Sequence, residues 1–187
     1  FGSSNIEQDV EVIMIAATCL KTLNINETTL HVNNIGSPET RTQYEGLLKK
    51  YFTQNIGVLS SLSKKRLETN PIRILDSKEQ EDQSIIKNAP IIKELLTDSE
   101  KEDFNMLLSN LDTLNIKYEE SPYLVRGLDY YNGTTFEITT RSNKSQNALC
   151  GGGRYDFLVE QMGGPSTPAI GFAAGMERMI IESQYQV

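Results

Sequence analysis

Apolar residues recur at helical spacing in the first part of the chain. Such a stripe runs from about residue 5 to 24 and predicts a helix with one face in the core. A second helix is predicted after Ser37 and Pro38, because serine caps helix starts and proline fits the first helical position. A third is predicted after Thr97 or Asp98, again with an apolar stripe. This part of the chain is therefore mostly helical.

Shorter elements are predicted around these helices. A strand covers Thr29 to Asn33, and short helices cover Asp76 to Lys87, Ile91 to Leu96, Tyr155 to Met162 and Met176 onward. Five strands are predicted late in the chain: Ile116 to Glu119, Tyr123 to Tyr131, Thr134 to Thr140, Asn147 to Cys150 and Ala169 to Ala174. Short links between successive strands favour antiparallel neighbours. The pattern predicts an α+β fold, helical over 1–115 and sheet-forming over 116–187.

The stretch from Leu124 to Ile138 has the pattern of a β-hairpin. Asn132 and Gly133 form a dipeptide that accepts positive φ at both centres of a tight turn, with extended residues on either side. A hairpin of this kind with polar side chains on its wet face is common on protein surfaces. A surface role and a ligand-binding role both remain open on this pattern alone.

The side chains of this hairpin are unusual for a scaffold. Arg126 is always charged, Asp129 adds a carboxylate, and Tyr130 and Tyr131 add two phenols. This set suits the binding of a small polar molecule. Asp129 and the later Glu137 are candidates for contact with a ligand or a metal, although exposed strand carboxylates are common.

Several other polar residues are given structural roles. Ser4 and Glu7 have the capping-box spacing at the start of the first helix. Asp9 and Glu11 are predicted to be solvated, as charges on helix surfaces usually are. The single histidine, His31, has no second metal ligand nearby, and we expect it to be structural.

Composition narrows the function classes. The 187 residues are 38% hydrophobic and 23% charged, which is ordinary for a globular domain, and the net charge of −7 gives no broad basic surface for nucleic acid. Cys19 and Cys150 match no metal spacing and are predicted to be reduced thiols in a cytoplasmic protein. The sequence contains no apolar run of membrane length, and no membrane association is expected. The first residue, Phe1, indicates a fragment or a processed product.

Three stretches together resemble one family, the histidyl-tRNA synthetases. Arg126 to Tyr131 (Arg-Gly-Leu-Asp-Tyr-Tyr) and Gly151 to Asp156 (Gly-Gly-Gly-Arg-Tyr-Asp) look like the two histidine-binding signatures of that family. Gly171 to Arg178 looks like motif 3 of class II synthetases. The resemblance implies a class II catalytic fold, in which an antiparallel sheet carries the active site on one face.

The resemblance also implies roles for single residues in the ATP site. It assigns Arg126 to the α-phosphate and Arg178 to the γ-phosphate of a bent ATP, with Gly175 nearby and Mg²⁺ as the expected metal. Arginine suits these roles because its planar fork binds two phosphate oxygens at once and keeps its proton. Both arginines are thus predicted to be catalytic.

Histidine recognition requires hydrogen bonds to the imidazole nitrogens, since an apolar pocket discriminates by only a few kcal/mol. The resemblance points to Tyr131 for the ring, with Tyr155 near it, while Gly151, Gly152 and Gly153 let the backbone approach the ligand. Strict strand alternation, however, places Tyr130 on the face of Arg126 and Tyr131 on the opposite face. A bulge near Gly127 would reconcile the two, and both tyrosines stay candidates.

Parts of the family pattern have no counterpart here. Motif 1, which forms much of the dimer interface, the motif 2 arginine and the anticodon-binding domain are all missing. The resemblance implies that the full-length protein is a homodimeric histidine–tRNA ligase using ATP, histidine and tRNA(His), and that this piece alone forms no histidyl-adenylate. The alternative is a synthetase-like regulatory subunit of ATP phosphoribosyltransferase, which is expected to lose the arginines kept at Arg126 and Arg178.

Overall fold

The computed structural model describes residues 1–127, 129–141 and 147–183. Its helices are α1 (Ile6–Thr22), α2 (Pro38–Gln54), α3 (Ser61–Thr69), α4 (Gln80–Ile86), α5 (Asp98–Thr113), α6 (Leu158–Gln161) and α7 (Met176–Glu182). Two 3₁₀ helices cover Pro71–Ile74 and Ile92–Glu94. The strands are β1 (Thr28–Asn34), β2 (Tyr118–Glu120), β3 (Asn132–Thr140), β4 (Ala148–Arg154) and β5 (Ile170–Ala174). None of the helices within these ranges is long and apolar enough to cross a membrane.

The five strands form one sheet in the order β2-β1-β3-β4-β5. The pairs β1 with β3, β3 with β4 and β4 with β5 are antiparallel, which confirms the predicted α+β fold class. The pair of β1 and β2 is parallel, and these two strands are joined by a long connection to which the prediction from short links does not apply. β1 comes from the mostly helical first part of the chain and lies second in the sheet, so both parts contribute to it.

The described residues form two apolar cores. One face of the sheet packs against α1 and α5 through buried side chains that include Val32, Phe136 and Leu107. A second core joins α2 to the segment from α3 to the second 3₁₀ helix, with Tyr44 and Ile74 fully buried. The helical middle of the chain is thus a packed body of its own, set beside the sheet.

The helix N-caps predicted from the sequence are confirmed for two of three helices. Ser37 caps α2, and Thr97 caps α5 in a capping box with Glu100. Glu100 also accepts a 2.6 Å hydrogen bond from the backbone N–H of Ser37, so one carboxylate ties the starts of both helices together. The predicted capping box of Ser4 is wrong, because Asn5 is the N-cap of α1 and its side chain makes no capping bond.

The predicted hairpin is also wrong. β3 begins at Asn132 and pairs with β1 and β4, and the described residues between Tyr123 and Tyr131 form no strand. Gly133 has a φ of 55°, but the register shift between Asn132 and Thr135 shows that the dipeptide makes a bulge in the sheet and not a turn. The tertiary pairing of β3 overrides the local turn signal.

Asp9 is fully buried, contrary to the prediction that it is solvated. Its carboxylate meets the guanidinium of Arg154, with 2.6 Å between Arg154 Nη2 and Asp9 Oδ1. Burial raises the pKa of Asp9, while the Thr134 hydroxyl and the Arg154 charge act to lower it. Glu11, on the same helix, is exposed as predicted.

His31, which the sequence predicts to be structural, contacts two hydroxyl groups. Its ring nitrogens lie 3.0 Å from the Ser121 hydroxyl and 3.1 Å from the Thr139 hydroxyl. These contacts join three neighbouring strands or their ends. Cys19 and Cys150 are free thiols, and burial raises the pKa of Cys150 to about 11.

Candidate functional site

The face of the sheet opposite α1 carries most of the predicted site. Side chains alternate between faces along a strand, and residues directly paired across strands share a face. Phe136 and its paired Gly152 belong to the face that packs on α1, so Glu137 and its paired Gly151 lie on the other. We call this second surface the site face. Residues of the predicted site on neighbouring strands therefore share one surface of the sheet.

Arg126 lies across the site face. Its Nη1 is 2.9 Å from Oε2 of Glu137, and the two side chains are 22% and 25% exposed. A Cβ at Gly151 would stand 2.8 Å from Cζ of Arg126, so glycine leaves the room that the guanidinium occupies. Nε of Arg126 is buried and has no hydrogen-bond partner among the described residues. A donor therefore remains unsatisfied at the centre of the candidate site.

Three tyrosines gather beside this arginine. The ring centroids of Tyr130 and Tyr131 are 4.5 Å apart, and those of Tyr130 and Tyr155 are 5.9 Å apart. The edge of Tyr155 also faces Tyr131, with 6.3 Å between centroids. The structure thus brings together all three phenols that the sequence singled out, without choosing between Tyr130 and Tyr131.

The local environment raises the pKa of two of these phenols, Tyr131 and Tyr155. Burial raises the pKa of Tyr131 to about 12, helped by a hydrogen bond with Tyr130 and opposed by the nearby charge of Arg126. Burial and the neighbouring Tyr130 also raise the pKa of Tyr155. A neutral phenol is both a donor and an acceptor, so it can bond to either kind of imidazole nitrogen.

The three successive glycines have different surroundings. At Gly152 an added Cβ would stand 2.7 Å from Cα of Phe172, and at Gly153 it would overlap the carbonyl oxygen of Thr134. Both positions are closed by neighbouring backbone. At Gly151 the obstacle is only the far end of the Arg126 side chain. Of the three, Gly151 is the one whose missing side chain leaves space on the site face.

Asp129 belongs to a clamp that sequence reasoning did not find. Its carboxylate accepts a 3.0 Å hydrogen bond from Arg41 Nη2 and a 2.9 Å bond from Asn70 Nδ2. Arg73 donates to the carbonyl of Gly127 from the same side. The helical middle of the chain therefore holds the loop that carries the tyrosines. Leu128, next to them, lies outside the described residues.

Only a weak signal for this clamp is present in the sequence. Arg41 occupies an ordinary polar position in the second helix, and no local pattern connects it to a loop almost ninety residues away. The stretch from Asn70 to Asp76 resembles a family segment, but the resemblance alone assigns it no contact. Long-range side-chain contacts of this kind follow from tertiary structure.

Arg178 and Gly175 lie at the start of α7. Arg178 is exposed, and its Nη1 donates a 2.7 Å hydrogen bond to the carbonyl of Ala148 on β4. Arg126 contacts the same strand at Gly151, three residues further along, which corresponds to about 10 Å of strand. Gly175 is the N-cap of α7, and its N–H donates to the carbonyl of Leu149. The two predicted catalytic arginines thus reach one strand at separate points.

Two grooves border these residues. One of about 350 Å³ is lined by the clamp and the tyrosines, including Arg41, Asp129, Tyr130 and Tyr131. A second of about 440 Å³ is lined by His31, Glu137 and Thr139, among others. No group of three or more histidine, cysteine or acidic side chains that could hold a metal occurs in the described ranges. The site is therefore rich in arginine and phenol groups.

Comparison with known proteins gives consistent matches. The family model described as histidyl-tRNA synthetase matches residues 1–179. The chain is 45% identical over 181 residues to a histidine–tRNA ligase of Streptococcus thermophilus, covering 97% of this chain and 42% of the relative. It is 48% identical over 179 residues to the chloroplastic histidine–tRNA ligase of Gracilaria tenuistipitata, covering 96% and 43%. The chain thus spans less than half the length of these relatives.

Solved structures give the same picture. The crystal structure of apo histidyl-tRNA synthetase from S. aureus matches with a TM-score of 0.73 and 34% identity, covering 97% of this chain and 44% of that one. An ATP phosphoribosyltransferase regulatory subunit/histidyl-tRNA synthetase from Bacillus halodurans matches with a TM-score of 0.65 at 19% identity, covering 99% and 52%. The second likeness is one of fold alone.

Proposed function

The chain belongs to the histidyl-tRNA synthetase family, and on that premise we propose that it is part of a histidine–tRNA ligase. The whole protein activates histidine with ATP to histidyl-adenylate and transfers the histidyl group to tRNA(His). One observation carries the proposal: Arg126, paired with Glu137, lies on one sheet face beside a cluster of three phenols. In this proposal Arg126 is the phosphate-binding group, and the neighbouring phenols are the imidazole-binding groups.

The chemistry requires a positioned cation. An oxygen of the histidine carboxylate forms a bond to the α-phosphorus of ATP, and the bond from that phosphorus to the leaving oxygen breaks to release pyrophosphate. Negative charge builds on the phosphate oxygens in the transition state, and fixed donors lower the barrier. Arg126 binds the α-phosphate, and its unsatisfied Nε supplies a donor for this purpose.

The phenols supply the specificity for histidine. The raised pKa values of Tyr131 and Tyr155 keep these two phenols neutral at neutral pH. The hydroxyls of Tyr130, Tyr131 and Tyr155 offer both donor and acceptor capacity to the imidazole nitrogens. A site built on such hydrogen bonds rejects an apolar side chain of similar size strongly, because its buried polar groups would then be unpaired. The space above Gly151 takes the rest of the amino acid.

ATP and its metal complete the site. Arg178 binds the γ-phosphate, and Gly175 lies in the ATP site at the start of α7. Mg²⁺ enters as the ATP complex. The carboxylates near Arg126 do not fit a resident metal, because Glu137 is paired with Arg126 and Asp129 with Arg41. ATP-bound Mg²⁺ supplies additional positive charge to the phosphates.

The rest of the assignment concerns the whole protein. Residues 1–187 are part of a class II catalytic domain, with a mostly helical part over 1–115 and the sheet with both histidine signatures and motif 3 over 116–187. The ligase acts as a homodimer. It works in the cytoplasm, where the free thiols of Cys19 and Cys150 stay reduced.

The test is histidine-dependent exchange of pyrophosphate into ATP by the full-length protein. We expect exchange with histidine and less than about one hundredth of it with phenylalanine or glutamine, because the site is built on specific hydrogen bonds. Charging of tRNA(His) then tests the second step. Histidine binding without any exchange would refute the proposal and favour a regulatory, synthetase-like role.

A further inference from the structure

Residues 129–131, which we call the tyrosine segment, carry two of the three phenols but belong to no strand or helix. Their position is set from outside the sheet. The carbonyls of Asp129 and Tyr131 lie 2.8 Å and 3.4 Å from Nη1 of one arginine, Arg41. Nη2 of the same guanidinium holds the Asp129 carboxylate at 3.0 Å. The Arg41 side chain thus forms hydrogen bonds with both ends of the tyrosine segment.

Arg41 is itself well fixed. Its side chain is only 14% exposed, whereas that of Asp129 is 68% exposed. Nε of Arg41 lies 3.5 Å from Glu45 Oε1, one turn further along α2. The first turn of α2 is anchored by the Ser37 cap and by Glu100. The guanidinium of Arg41 is therefore held in place by α2, and it sets the position of the tyrosine segment.

We propose that Arg41 is a positioning residue for histidine recognition, which holds the tyrosine segment so that Tyr130 and Tyr131 meet the imidazole in a fixed geometry. The proposal rests on the proposed function for its substrate. Arg41 acts through the tyrosine segment and does not touch histidine. A misplacement of a binding group by about 1 Å is enough to weaken recognition strongly.

The same contacts give Asp129 a different role from the one its signature suggests. As a partner of Arg41 and Asn70, its carboxylate anchors the loop. If Asp129 instead bound histidine directly, its removal would weaken histidine binding even after Arg41 was gone. If it acts with Arg41, the two losses overlap and do not add.

The first experiment compares full-length wild-type protein with Arg41→Ala, Arg41→Lys and the matched control Lys50→Ala, an exposed cation on the same helix. We expect Arg41→Ala to raise the KM for histidine about tenfold or more, since two or three charge-assisted hydrogen bonds are lost. The KM for ATP should change less than threefold, because Glu137 still holds Arg126. Arg41→Lys should lie between the two, since it keeps the charge but loses the fork.

The second experiment adds Asp129→Ala alone and together with Arg41→Ala. We expect the double variant to match Arg41→Ala within twofold in its KM for histidine. An unchanged KM for histidine in Arg41→Ala, an equal rise for histidine and ATP, or additive effects in the double variant would each overturn the proposal.

The third measurement does not depend on activity. Amide hydrogen exchange over residues 129–132 should be at least about tenfold faster in Arg41→Ala than in wild type and unchanged in Lys50→Ala, because the segment loses the anchor that contacts both of its ends. Equal exchange in wild type and Arg41→Ala would overturn the positioning role. A wild-type protein without histidine-dependent activity would instead refute the proposed function. The rate of amide hydrogen exchange would still decide whether Arg41 fixes the tyrosine segment.

Discussion

Arg154 and Asp9 form a buried ion pair across 145 positions of sequence, with 2.6 Å between Nη2 and Oδ1 and 3.0 Å between Nε and Oδ2. The guanidinium also donates to the carbonyl of Asn5 and to the carboxylate of Asp156. It therefore fastens α1 to the end of β4, directly beside Tyr155. The arginine of the Gly-Gly-Gly-Arg-Tyr-Asp stretch thus holds the sheet to α1.

Asp9→Ala should destabilise the protein by about 3–5 kcal/mol, because it removes the fully buried one of the two carboxylates paired with the buried guanidinium of Arg154. The measurement is the free energy of unfolding by chemical denaturation. Glu11→Ala removes an exposed carboxylate from the same helix and should change that free energy by less than about 0.5 kcal/mol. Similar values for the two variants would contradict the assigned role of the ion pair.

Gly151→Ala should mainly reduce activity, whereas Gly152→Ala should mainly reduce stability. At Gly151 the new Cβ meets only the end of the Arg126 side chain, which can swing away. We expect a stability change below about 1 kcal/mol and a loss of histidine-dependent pyrophosphate exchange of about a hundredfold, since the donor that we propose binds the α-phosphate moves. At Gly152 the Cβ meets the backbone of Gly171 and Phe172, and we expect destabilisation of about 1–3 kcal/mol.

Thermal unfolding and the exchange assay separate these two effects. If Gly151→Ala kept the wild-type rate of pyrophosphate exchange, the activity would not require the guanidinium of Arg126 at its position in the structure. If Gly152→Ala were as stable as wild type, the tight pairing of β4 and β5 would be less restrictive than the backbone contacts indicate.

Glu137→Gln should reduce catalysis without unfolding the protein. The substitution keeps the size of the side chain but removes the charge that holds Nη1 of Arg126 at 2.9 Å. We expect kcat/KM for ATP to fall about tenfold or more, as charge-assisted hydrogen bonds are about twice as strong as neutral ones. Steady-state exchange kinetics at varied ATP measure this.

Glu27→Gln is the matched control, because it removes the same charge from a side chain that is 78% exposed. Its kinetics should equal those of wild type. Glu137→Asp should recover part of the lost rate, since a carboxylate returns on a shorter stem. Wild-type kcat/KM in Glu137→Gln would show that Arg126 needs no partner on the site face.

The sequence singled out residues that lie close together in the structure, but it did not predict their surroundings. Arg126, Tyr131 and Tyr155 stand in short motifs of unusual composition, and such motifs are visible without a fold. The burial of Asp9 was not predictable, because its partner Arg154 is distant in sequence and a helix-surface carboxylate is usually solvated. Arg41 was missed for the same reason.

The failure of the hairpin prediction has a different cause. Asn132 and Gly133 carry a correct local signal for an unusual backbone, and Gly133 does take a positive φ. The strand that follows pairs on both sides with distant strands, and this pairing converts the predicted turn into a bulge. Local patterns define what the backbone can do, and long-range pairing decides among the options.

Asp82 should make the stability of the helical middle depend on pH. Its fully buried carboxylate accepts hydrogen bonds from the N–H and hydroxyl of Ser60, at 2.8 Å each, and from the hydroxyls of Ser63 and Ser77. Burial raises the pKa of Asp82, but these bonds outweigh it and hold the pKa below the usual 3.8. The ionised form is therefore favoured by folding.

The stabilisation by Asp82 is complete above a pH of about 4, the unfolded pKa, and is lost as the pH falls through the lower folded pKa. Asp82→Asn should be less stable than wild type by about 2 kcal/mol at pH 7, because the amide nitrogen cannot accept these bonds. The difference should shrink as the pH falls below about 4. Denaturation at a series of pH values measures it, with the exposed Asp76→Asn as control. A difference that stays constant or grows towards low pH would mean that Asp82 is not ionised in the folded protein.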